Sequence, residues 1–477
     1  MSLEGSERTI REICQRALRK AVPSEKERRE TLRFSEDLTE RLFEKLETVS
    51  IDAEVQVQGS VAKDTWLAGE KDIDLFILLP RGSQMEGLLR VLEVSKELAG
   101  NNYLEAYAEH PYIEAKIGGY TVDFVPCFEI GSAEEAISSV DRTPLHTRYI
   151  KEHIDSRTRG EVRLIKRFMR GIDTYGAEIK VGGFSGYLCE LLTLYYGSFI
   201  EVLKAASNWR IREVIDCECY YTGREDGARS IFQDEALIVI DPVDKGRNVA
   251  SAVRESKLNE FILAAREFLK HPSLRFFYPS MVKAFSYKRL IRAIHLKDSN
   301  FIFLKFGGIR AVPDVLWGQL YRSQRALRNL IRLYDFDVIR DDVWSDGETV
   351  NVFIFELNTR FLSSVKKHPG PPIEKREDCE RFLEKHLVAE QTLSGPRIEG
   401  DRLIVETRRE YTDAAVLLKE KLKDGGRNIG VATFVSQVMA DSLEVLVNRE
   451  IKDLYLSNSD FAKFLTEYIK GRPRWLG

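Results

Sequence analysis

Two aspartates at the start of a short apolar run constrain this chain more than any other feature. The run Ile73–Leu79 is rich in branched and aromatic residues and is bounded by Lys71 and Pro80. Such a run is typical of a strand that is buried on both faces of a sheet. Because residues i and i+2 of a strand point to the same side, Asp72 and Asp74 should project together, with their Cα atoms about 7 Å apart.

This aspartate pair has two explanations. Two carboxylates so close repel each other unless a cation lies between them. Mg²⁺ suits such a pair because it prefers hard oxygen ligands and is usually held by one or two carboxylates plus substrate phosphates. The other explanation is that D-x-D is simply a solvated strand end, and for the pair taken alone this explanation is favoured.

The flanking sequence changes that balance. Upstream, Ala53–Gln58 alternates like a half-buried strand, and Gly59 and Ser60 follow it before a helical turn. A strand, a tight turn and a helix N-terminus offer free backbone N–H groups to a phosphate. Downstream, a hairpin predicted from a Gly-Gly pair carries Asp123 inside its second, otherwise apolar strand. A buried acid is costly unless it is paired or metal-bound, so we expect a phosphate cradle and three carboxylates on neighbouring strands.

Composition and charge limit the class of protein, its partners and its location. A chain of 477 residues, 43% apolar and 31% charged, has the profile of a soluble globular protein with several domains. The net charge of −3 does not indicate a nucleic-acid binder, so any RNA contact would depend on local basic patches. Because the sequence has neither an apolar run of about 18 residues nor a secretory signal, we expect a cytoplasmic protein with no membrane partner. The six cysteines form no C-x-x-C pair, which argues against structural zinc and a disulfide framework.

The order of predicted elements indicates an α+β multidomain fold. Residues 1–150 alternate helices and strands and should form a mixed-sheet domain, and residues 151–280 should form a mainly helical central domain. Residues 281–477 should form a C-terminal region, with a ferredoxin-like β-α-β-β-α-β module at about 300–410 and mostly helices over 411–477. We expect the last helix and strand of the module at Arg376–His386 and Leu403–Thr407, and a loop over Lys366–Asp378.

The order of G-S, D-x-D and a third Asp in a later strand is the signature of the nucleotidyltransferase superfamily typified by DNA polymerase beta. Longer stretches narrow the resemblance, namely GSVAKDTWL, AEHPYIEAKIGGYTVDFVPC, SSVDRTPLH, EVRLIKRF, YGAEIKVGGFSGYLCE and DPVDKGRNVA. Through them the chain closely resembles the archaeal, class I CCA-adding enzymes, which are tRNA nucleotidyltransferases. The resemblance is dense from about residue 50 to 280 and thinner beyond.

The resemblance implies template-independent addition and repair of the 3′-terminal CCA of tRNA from CTP and ATP, with Mg²⁺ as cofactor and release of pyrophosphate. It assigns catalysis and metal binding to Asp72, Asp74 and Asp123. It assigns nucleotide binding to Gly59, Ser60, Lys63, Thr143, His146, Lys166, Tyr175, Arg247 and Asn248. Lys63 stands where the family usually has Arg, which removes bidentate geometry. Arg247 and Asn248, which we expect on a loop leading into a helix, would read the base edge.

The resemblance also implies partners. It predicts tRNA, bound through its acceptor and T-arm half, and a homodimer. Candidate RNA contacts are His110, Arg322, Arg325 and Arg427, although a solvated helix face is the alternative for the arginines. The same two alternatives apply to the basic face of the predicted helix Glu161–Gly171.

Two other functions compete with CCA addition. One is a different RNA 3′-nucleotidyltransferase that adds poly(A) or oligo(U). The other is a non-catalytic RNA-binding scaffold with a dead transferase domain. The presence of all three aspartates argues against the scaffold.

Overall fold

The computed structural model of this chain describes residues 3–107 and 111–476. These residues fall into two units, one up to Met281 together with the residues from Pro473 onward, and one over Val282–Arg472. The predicted C-terminal region 281–477 stays a prediction, and its residues from Pro473 onward lie in the first unit. The predicted division of the first unit near residue 150 stays a prediction.

The first unit holds the aspartates. Its helices are α1 (Leu3–Ala21), α2 (Glu25–Thr48), α3 (Gly59–Lys63), α4 (Met85–Ala99), α5 (Thr143–His153), α6 (Ser156–Gly171), α7 (Gly186–Tyr196), α8 (Phe199–Ala206), α9 (Glu225–Ile231) and α10 (Glu255–Lys270). Its strands are β1 (Glu54–Val57), β2 (Asp72–Leu79), β3 (Tyr103–Tyr107), β4 (Pro111–Ile117), β5 (Tyr120–Phe128), β6 (Glu213–Asp216), β7 (Leu237–Asp241) and β8 (Asp244–Asn248).

The aspartate-bearing sheet has the strand order β1-β2-β5-β4-β3. Strands β2 and β5 run parallel, and their register sets Asp74 opposite Asp123. On the other side of β5, Glu114 of β4 is also opposite Asp123. The predicted buried strand and the predicted hairpin are therefore confirmed, and their pairing gathers the acids at one place in the sheet.

Burial of both faces of β2 explains its apolar run. On one face, Ile73 and Leu75 are almost fully buried and pack with α2 and α4. On the other face, Phe76 packs with Val125 of β5. Removing this apolar surface from water stabilises the sheet by roughly 25 cal/mol per Å², so the strand that carries Asp74 is held rigidly.

The remainder of the first unit is mainly helical, as predicted. Phe168 of α6 lies at the centre of an aromatic core, 5.4 Å between ring centroids from Phe199 and 5.5 Å from Phe268. Trp475, near the end of the chain, packs against Phe276 of the same unit. A small sheet with the order β6-β7-β8 completes this region.

The second unit contains helices α11 (Tyr287–Leu296), α12 (Pro313–Leu333), α13 (Arg376–Val388), α14 (Ala414–Lys421), α15 (Thr433–Ser442), α16 (Lys452–Ser457) and α17 (Ser459–Lys470). Its strands are β9 (Asn300–Gly307), β10 (Val338–Ser345), β11 (Val350–Leu357), β12 (Val365–Pro372), β13 (Thr392–Glu399), β14 (Arg402–Arg408) and β15 (Glu444–Val447). No helix in the described residues is both long enough and apolar enough to cross a membrane.

The ferredoxin-like module is present. The predicted helix Arg376–His386 and strand Leu403–Thr407 are confirmed as α13 and β14, but their assignment to the module was wrong. The sheet has the order β10-β11-β9-β15, and its neighbours are all antiparallel. The closing elements are α15 and β15, whereas β14 lies in a separate sheet with β12 and β13, against which α13 packs. Four residues are too few to give β15 a clear periodicity, so only its pairing with β9 identifies it.

The predicted loop over Lys366–Asp378 was also wrong, because its first half belongs to β12. The segment contains prolines, which lack the N–H that an inner strand needs. Strand β12 lies at the edge of its sheet, where a proline without an N–H is tolerated.

Candidate active site

One cavity in the first unit, of about 480 Å³, brings most of the predicted nucleotide-binding residues together. Its lining includes these predicted residues: Gly59, Ser60, Lys63, Asp74, Thr143, His146, Lys166, Tyr175 and Arg247. They come from α3, β2, α5, α6, β8 and the segment before α7. Asp72, Asp123 and Asn248 are not in its lining. A single cavity therefore joins the turn after β1 to the first aspartate strand.

The turn at Gly59 lies against Asp74. Gly59 has a φ of +65°, and a Cβ added there would lie 1.8 Å from Asp74 Oδ2. The backbone N–H of Gln58 also donates to the Asp74 carbonyl oxygen at 2.9 Å. Only glycine combines this backbone conformation with such a close approach, so the small-residue turn is required by the carboxylate beside it.

Burial and the charges of neighbouring acids raise the pKa values of the three aspartates. Burial raises the pKa of Asp74, and the charge of Asp72 adds to this, while Lys63 and Lys166 act in the opposite direction. Burial, followed by the charges of Asp74, Glu114 and Asp72, raises the pKa of Asp123 to about 8. These acids disfavour one another's charged forms, which is the situation that a bound cation relieves.

Asp123 and Asp72 provide a further test of whether a cation fits. Asp123 Oδ1 is buried and has no hydrogen-bond partner among the described residues. Burial and Glu70 raise the pKa of Asp72, against smaller opposing effects of Arg170 and Thr121. Within the described parts of the chain, no group of three or more His, Cys, Asp and Glu side chains is placed so that it could hold a metal ion by itself. The unpartnered Asp123 Oδ1 and the raised pKa values of the aspartates still favour a cation, and such an ion would take its other ligands from the substrate, as Mg²⁺ commonly does.

A buried cluster of two lysines and one glutamate forms another part of the cavity wall. Glu190 of α7 is fully buried, with Lys63 Nζ 2.6 Å from its Oε2 and Lys166 Nζ 3.0 Å from its Oε1. The Thr65 hydroxyl donates to Oε1 at 2.6 Å. Burial by itself would raise the pKa of Glu190, but Lys166 and Lys63 lower it to about 2. Glu190 is therefore an ionised counter-charge to both lysines.

Glu190 was missed by sequence reasoning, which interpreted its helix as apolar core. The available signal was a single acid in the stretch GFSGYLCELLTLYYGSF, since a charge in such a helix needs a partner. The pairing also bears on Lys63, which stands where the family usually has Arg. Its buried ammonium is oriented by Glu190, so a bidentate arginine is not required to hold a positive charge at this position.

A second polar cluster surrounds Asp241 at the end of β7. His146 Nε2 lies 2.9 Å and Arg247 Nη1 2.8 Å from Asp241 Oδ2. The Tyr187 hydroxyl donates to Oδ1 at 3.2 Å, and its ring stacks on His146 with 4.3 Å between centroids. Burial lowers the pKa of His146 and outweighs the opposite effect of Asp241, with Arg247 and Lys63 contributing in the same direction as burial.

The expected loop at Arg247 and Asn248 was wrong, because both residues belong to strand β8. Asn248 is buried, and its side chain makes three hydrogen bonds to backbone. Its Oδ1 accepts from Val239 and Ala250, and its Nδ2 donates to Leu237. These bonds hold the β7–β8 hairpin together, so Asn248 supports the strand that presents Arg247.

The basic face of α6 is paired rather than solvated. Arg163 is almost fully buried and donates to Asp64 Oδ1 at 2.6 Å and to the Trp66 carbonyl oxygen at 3.0 Å. Arg170 pairs with Glu70 at 2.6 Å. Only Lys166 of this face lines the cavity. Helical spacing predicted the basic face, but the tertiary contacts decide that Lys166, itself paired with Glu190, is the cation of this face that borders the cavity.

The predicted RNA contacts lie elsewhere, in the second unit. Arg322 and Arg325 are exposed on α12, whereas Arg328 of the same helix forms a bidentate pair with Asp341. Arg427, which follows Gly425 and Gly426, is exposed and donates to Thr433 Oγ1. The predicted contact at His110 lies outside the described residues.

Three family models match successive parts of the chain. The model described as "Nucleotidyltransferase domain" matches residues 39–146. The model "tRNA nucleotidyltransferase, second domain" matches residues 160–278, and "CCA-adding enzyme, C-terminal domain" matches residues 297–448. Together these models cover the sheet with the aspartates, the helical region and most of the second unit.

Curated relatives match over nearly the whole chain. A protein of Methanosarcina mazei named "CCA-adding enzyme" is 38% identical over 95% of this chain and 97% of its own length. Relatives with the same name are 37% identical in Pyrobaculum islandicum, over 89% of this chain and 96% of theirs, and 34% identical in Halobacterium salinarum, over 96% and 98%. The chain therefore belongs to the CCA-adding enzyme family of tRNA nucleotidyltransferases.

Proposed function

We propose that this chain adds and repairs the 3′-terminal CCA of tRNA from CTP and ATP, without a template and with release of pyrophosphate. The observation that carries the proposal is the cavity that joins the turn at Gly59 and Ser60 to Asp74, Lys166 and Arg247. Relatives named CCA-adding enzymes that match along almost the whole chain support the same reaction here.

The nucleotidyltransferase domain implies a divalent metal ion, and we propose Mg²⁺ held by Asp72, Asp74 and Asp123. The unpartnered, buried Oδ1 of Asp123 supports this assignment. When bound, the metal would lower the pKa of the tRNA 3′-hydroxyl and neutralise charge on the triphosphate and the leaving pyrophosphate.

The residues of the chain position the reacting groups. The turn at Gly59 offers backbone N–H groups and Ser60 a hydroxyl to the phosphates. Lys63 and Lys166 supply positive charge for the triphosphate, and Thr143 and Tyr175 complete the nucleotide contacts. The 3′-hydroxyl oxygen then attacks the α-phosphorus, the bond to pyrophosphate breaks and the hydroxyl proton is lost. Asp123 would lie beside that hydroxyl.

Feeding one nucleotide at a time to tRNA with different 3′ ends tests the function. We expect CMP to be added to tRNA that lacks CCA or ends in C, AMP to be added to tRNA that ends in CC, and growth to stop there. The products are measured on sequencing gels. Growth past the terminal A, addition of UMP, or addition to unstructured RNA would instead favour a poly(A)- or oligo(U)-adding enzyme.

Gly59→Ala is expected to lower kcat/KM for incorporation by about 100-fold, since a displacement of about 1 Å at a reacting group can have that effect. The added Cβ would collide with the Asp74 carboxylate. The control is Gly69→Ala, because Gly69 also has a positive φ but nothing lies within 4 Å of its added Cβ. Equal losses in both variants would show that backbone conformation, not the collision, is responsible.

The raised pKa of Asp123 predicts how pH affects the stability of the metal-free protein. Its folded-state pKa is raised to about 8 from 3.8, so its contribution to stability is fully present below about 4 and is lost as pH rises through about 8. In EDTA, the thermal midpoint of the wild type should fall relative to Asp123→Asn between about pH 6 and 8. Mg²⁺ with nucleotide should reverse this difference. A constant difference across this range would contradict the prediction.

The remaining partners and the location are further proposals. We propose that the second unit contacts the acceptor and T-arm half of tRNA through exposed cations such as Arg322, Arg325 and Arg427. Their replacement by alanine should weaken tRNA binding and flatten its salt dependence. We also propose a homodimer, which the molar mass in solution tests, and a cytoplasmic location, which fractionation tests.

A further inference from the structure

Three arginines surround one aspartate outside the cavity described above. Asp64 directly follows α3 and has a φ of +55°. Arg28 Nη1 of α2 lies 2.6 Å from Asp64 Oδ2, and Arg163 Nη2 of α6 lies 2.6 Å from Asp64 Oδ1. Arg159, one turn before Arg163 on α6, has its Nη1 4.0 Å from Asp64 Oδ2. None of these four residues lines the cavity, and the proposed reaction gives them no role.

Positive charge exceeds negative charge in this arginine cluster. Arginine stays protonated in proteins, and Asp64 is the acid with which the three arginines pair in the part of the chain that the structure describes. Burial lowers the pKa of Arg163, and the charges of Arg28 and Arg159 act in the same direction, against the effect of Asp64. The arginines thus disfavour one another's charged forms, which is the situation that a bound anion relieves.

Three N–H donors at the cluster are buried and have no hydrogen-bond partner within residues 3–107 and 111–476. They are Arg28 Nε, Arg159 Nε and Trp66 Nε1. Such donors nearly always bind protein, water or an ion. Trp66 is almost fully buried, and the guanidinium carbons of Arg28 and Arg163 lie 5.4 Å and 5.8 Å from the centroid of its ring. This cation–π packing holds two of the guanidinium groups in place before a ligand binds.

We propose that Arg28, Arg159 and Arg163, together with Trp66, form a second phosphate site where α2, the end of α3 and α6 meet. Three arginines against one aspartate leave two positive charges, and a phosphate monoester or inorganic phosphate carries about −1.5 to −2 at pH 7. Planar guanidinium groups also match phosphate oxygens in geometry. The side chains of Arg28 and Arg159 are 26% and 33% exposed, so a ligand can reach them from solvent.

The dianion is either free phosphate or the terminal phosphate of a bound RNA. A phosphodiester within an RNA strand carries a single charge and balances the cluster less well. Because the cluster lies outside the cavity, the inference goes beyond the proposed function and can be tested without measuring nucleotide addition.

Crystals of the full-length wild type soaked in selenate locate the site without any variant. Selenate is a tetrahedral dianion, and its selenium gives an anomalous X-ray signal. We expect an anomalous peak within hydrogen-bond distance of Arg28 and Arg159. The absence of a peak there, including the case of a peak confined to the cavity, would overturn the proposal.

Titration with inorganic phosphate at constant ionic strength measures affinity through the rise in thermal midpoint. The cavity is first filled with a CTP analogue that has a methylene bridge between its α and β phosphates. Arg28→Gln and Arg159→Gln should each raise the Kd for phosphate by about tenfold or more, because a charge-assisted hydrogen bond is lost. The matched controls are Arg29→Gln and Arg157→Gln, which change exposed residues of the same two helices and should keep the wild-type Kd.

The source of the dianion is tested with tRNA that has or lacks its 5′-terminal phosphate. If RNA supplies the dianion, removing this phosphate should raise the Kd for tRNA by about tenfold in the wild type and leave it unchanged in Arg28→Gln. If free phosphate is the ligand, the removal should change neither Kd, while the titration still separates the variants from their controls. Equal phosphate affinity in variants and controls would overturn the proposal and would make any selenate peak at the cluster an adventitious ion only.

Discussion

Replacing Asp74 by asparagine should lower kcat for nucleotide incorporation by about 1,000-fold, which corresponds to roughly 4 kcal/mol of lost transition-state stabilisation. Asp74 is the aspartate that lines the cavity, it touches the turn at Gly59, and it lies opposite Asp123 in the sheet. The substitution keeps the shape of the side chain and removes the charge that a divalent metal needs. It should therefore not disturb the strand.

The decisive comparison is between incorporation and tRNA binding by the same variant. We expect the Kd for tRNA to stay within about twofold of the wild type, because exposed lysines and arginines make most contacts with RNA phosphates. Asp52→Asn is a matched control, since Asp52 is exposed just before β1, and it should leave both quantities unchanged. If Asp74→Asn retains more than about a tenth of the wild-type kcat, the metal assignment is wrong.

Glu190→Gln should produce the largest loss of stability, lowering the free energy of unfolding by about 3 to 5 kcal/mol. The change leaves Lys63 and Lys166, which are 7% and 1% exposed, without their shared counter-charge. The same change in an exposed pair, Glu201→Gln beside Lys204, should alter stability by less than about 0.5 kcal/mol. Denaturant midpoints of the metal-free proteins measure both.

The pairing of Glu190 also has a pH signature. Its pKa is lowered from 4.5 to about 2, so the stability it contributes is present above about 4.5 and is lost as pH falls through about 2. The difference in midpoint between the wild type and Glu190→Gln should therefore stay constant above about pH 4.5 and shrink as the pH falls from about 4.5 to about 2. A double variant with Lys63→Met should recover part of the lost stability, because it removes one of the unpaired cations. No recovery would mean that Glu190 does not act through this lysine.

Much of the local structure could be predicted because its causes are local. The alternation and composition around Ile73–Leu79 predicted β2, and the Gly-Gly pair predicted the hairpin that carries Asp123. The cap of α2 is equally local, since the Ser24 hydroxyl accepts from the Glu27 N–H at 3.2 Å. Each depends on residues within a few positions of one another, so a short window of sequence contains the whole signal.

The wrong predictions concern features that depend on residues far apart in the sequence. Strand β15 belongs to the ferredoxin-like sheet because it pairs with β9, about 140 residues earlier, and no window of sequence carries that pairing. Arg247 was expected on a loop leading into a helix. It is held in β8 by Asn248, whose side chain bonds the backbone of β7.

By itself, the sequence determined the aspartate strand, the glycine turn, the third aspartate and the family, since ordered short stretches carry all of them. Only the tertiary structure decided which charged side chains pair with one another. Lys63 and Glu190 are 127 residues apart, and His146 and Asp241 are 95 apart. The strength of such pairs depends on distance and burial in space, and neither quantity leaves a trace in the spacing of residues along the chain.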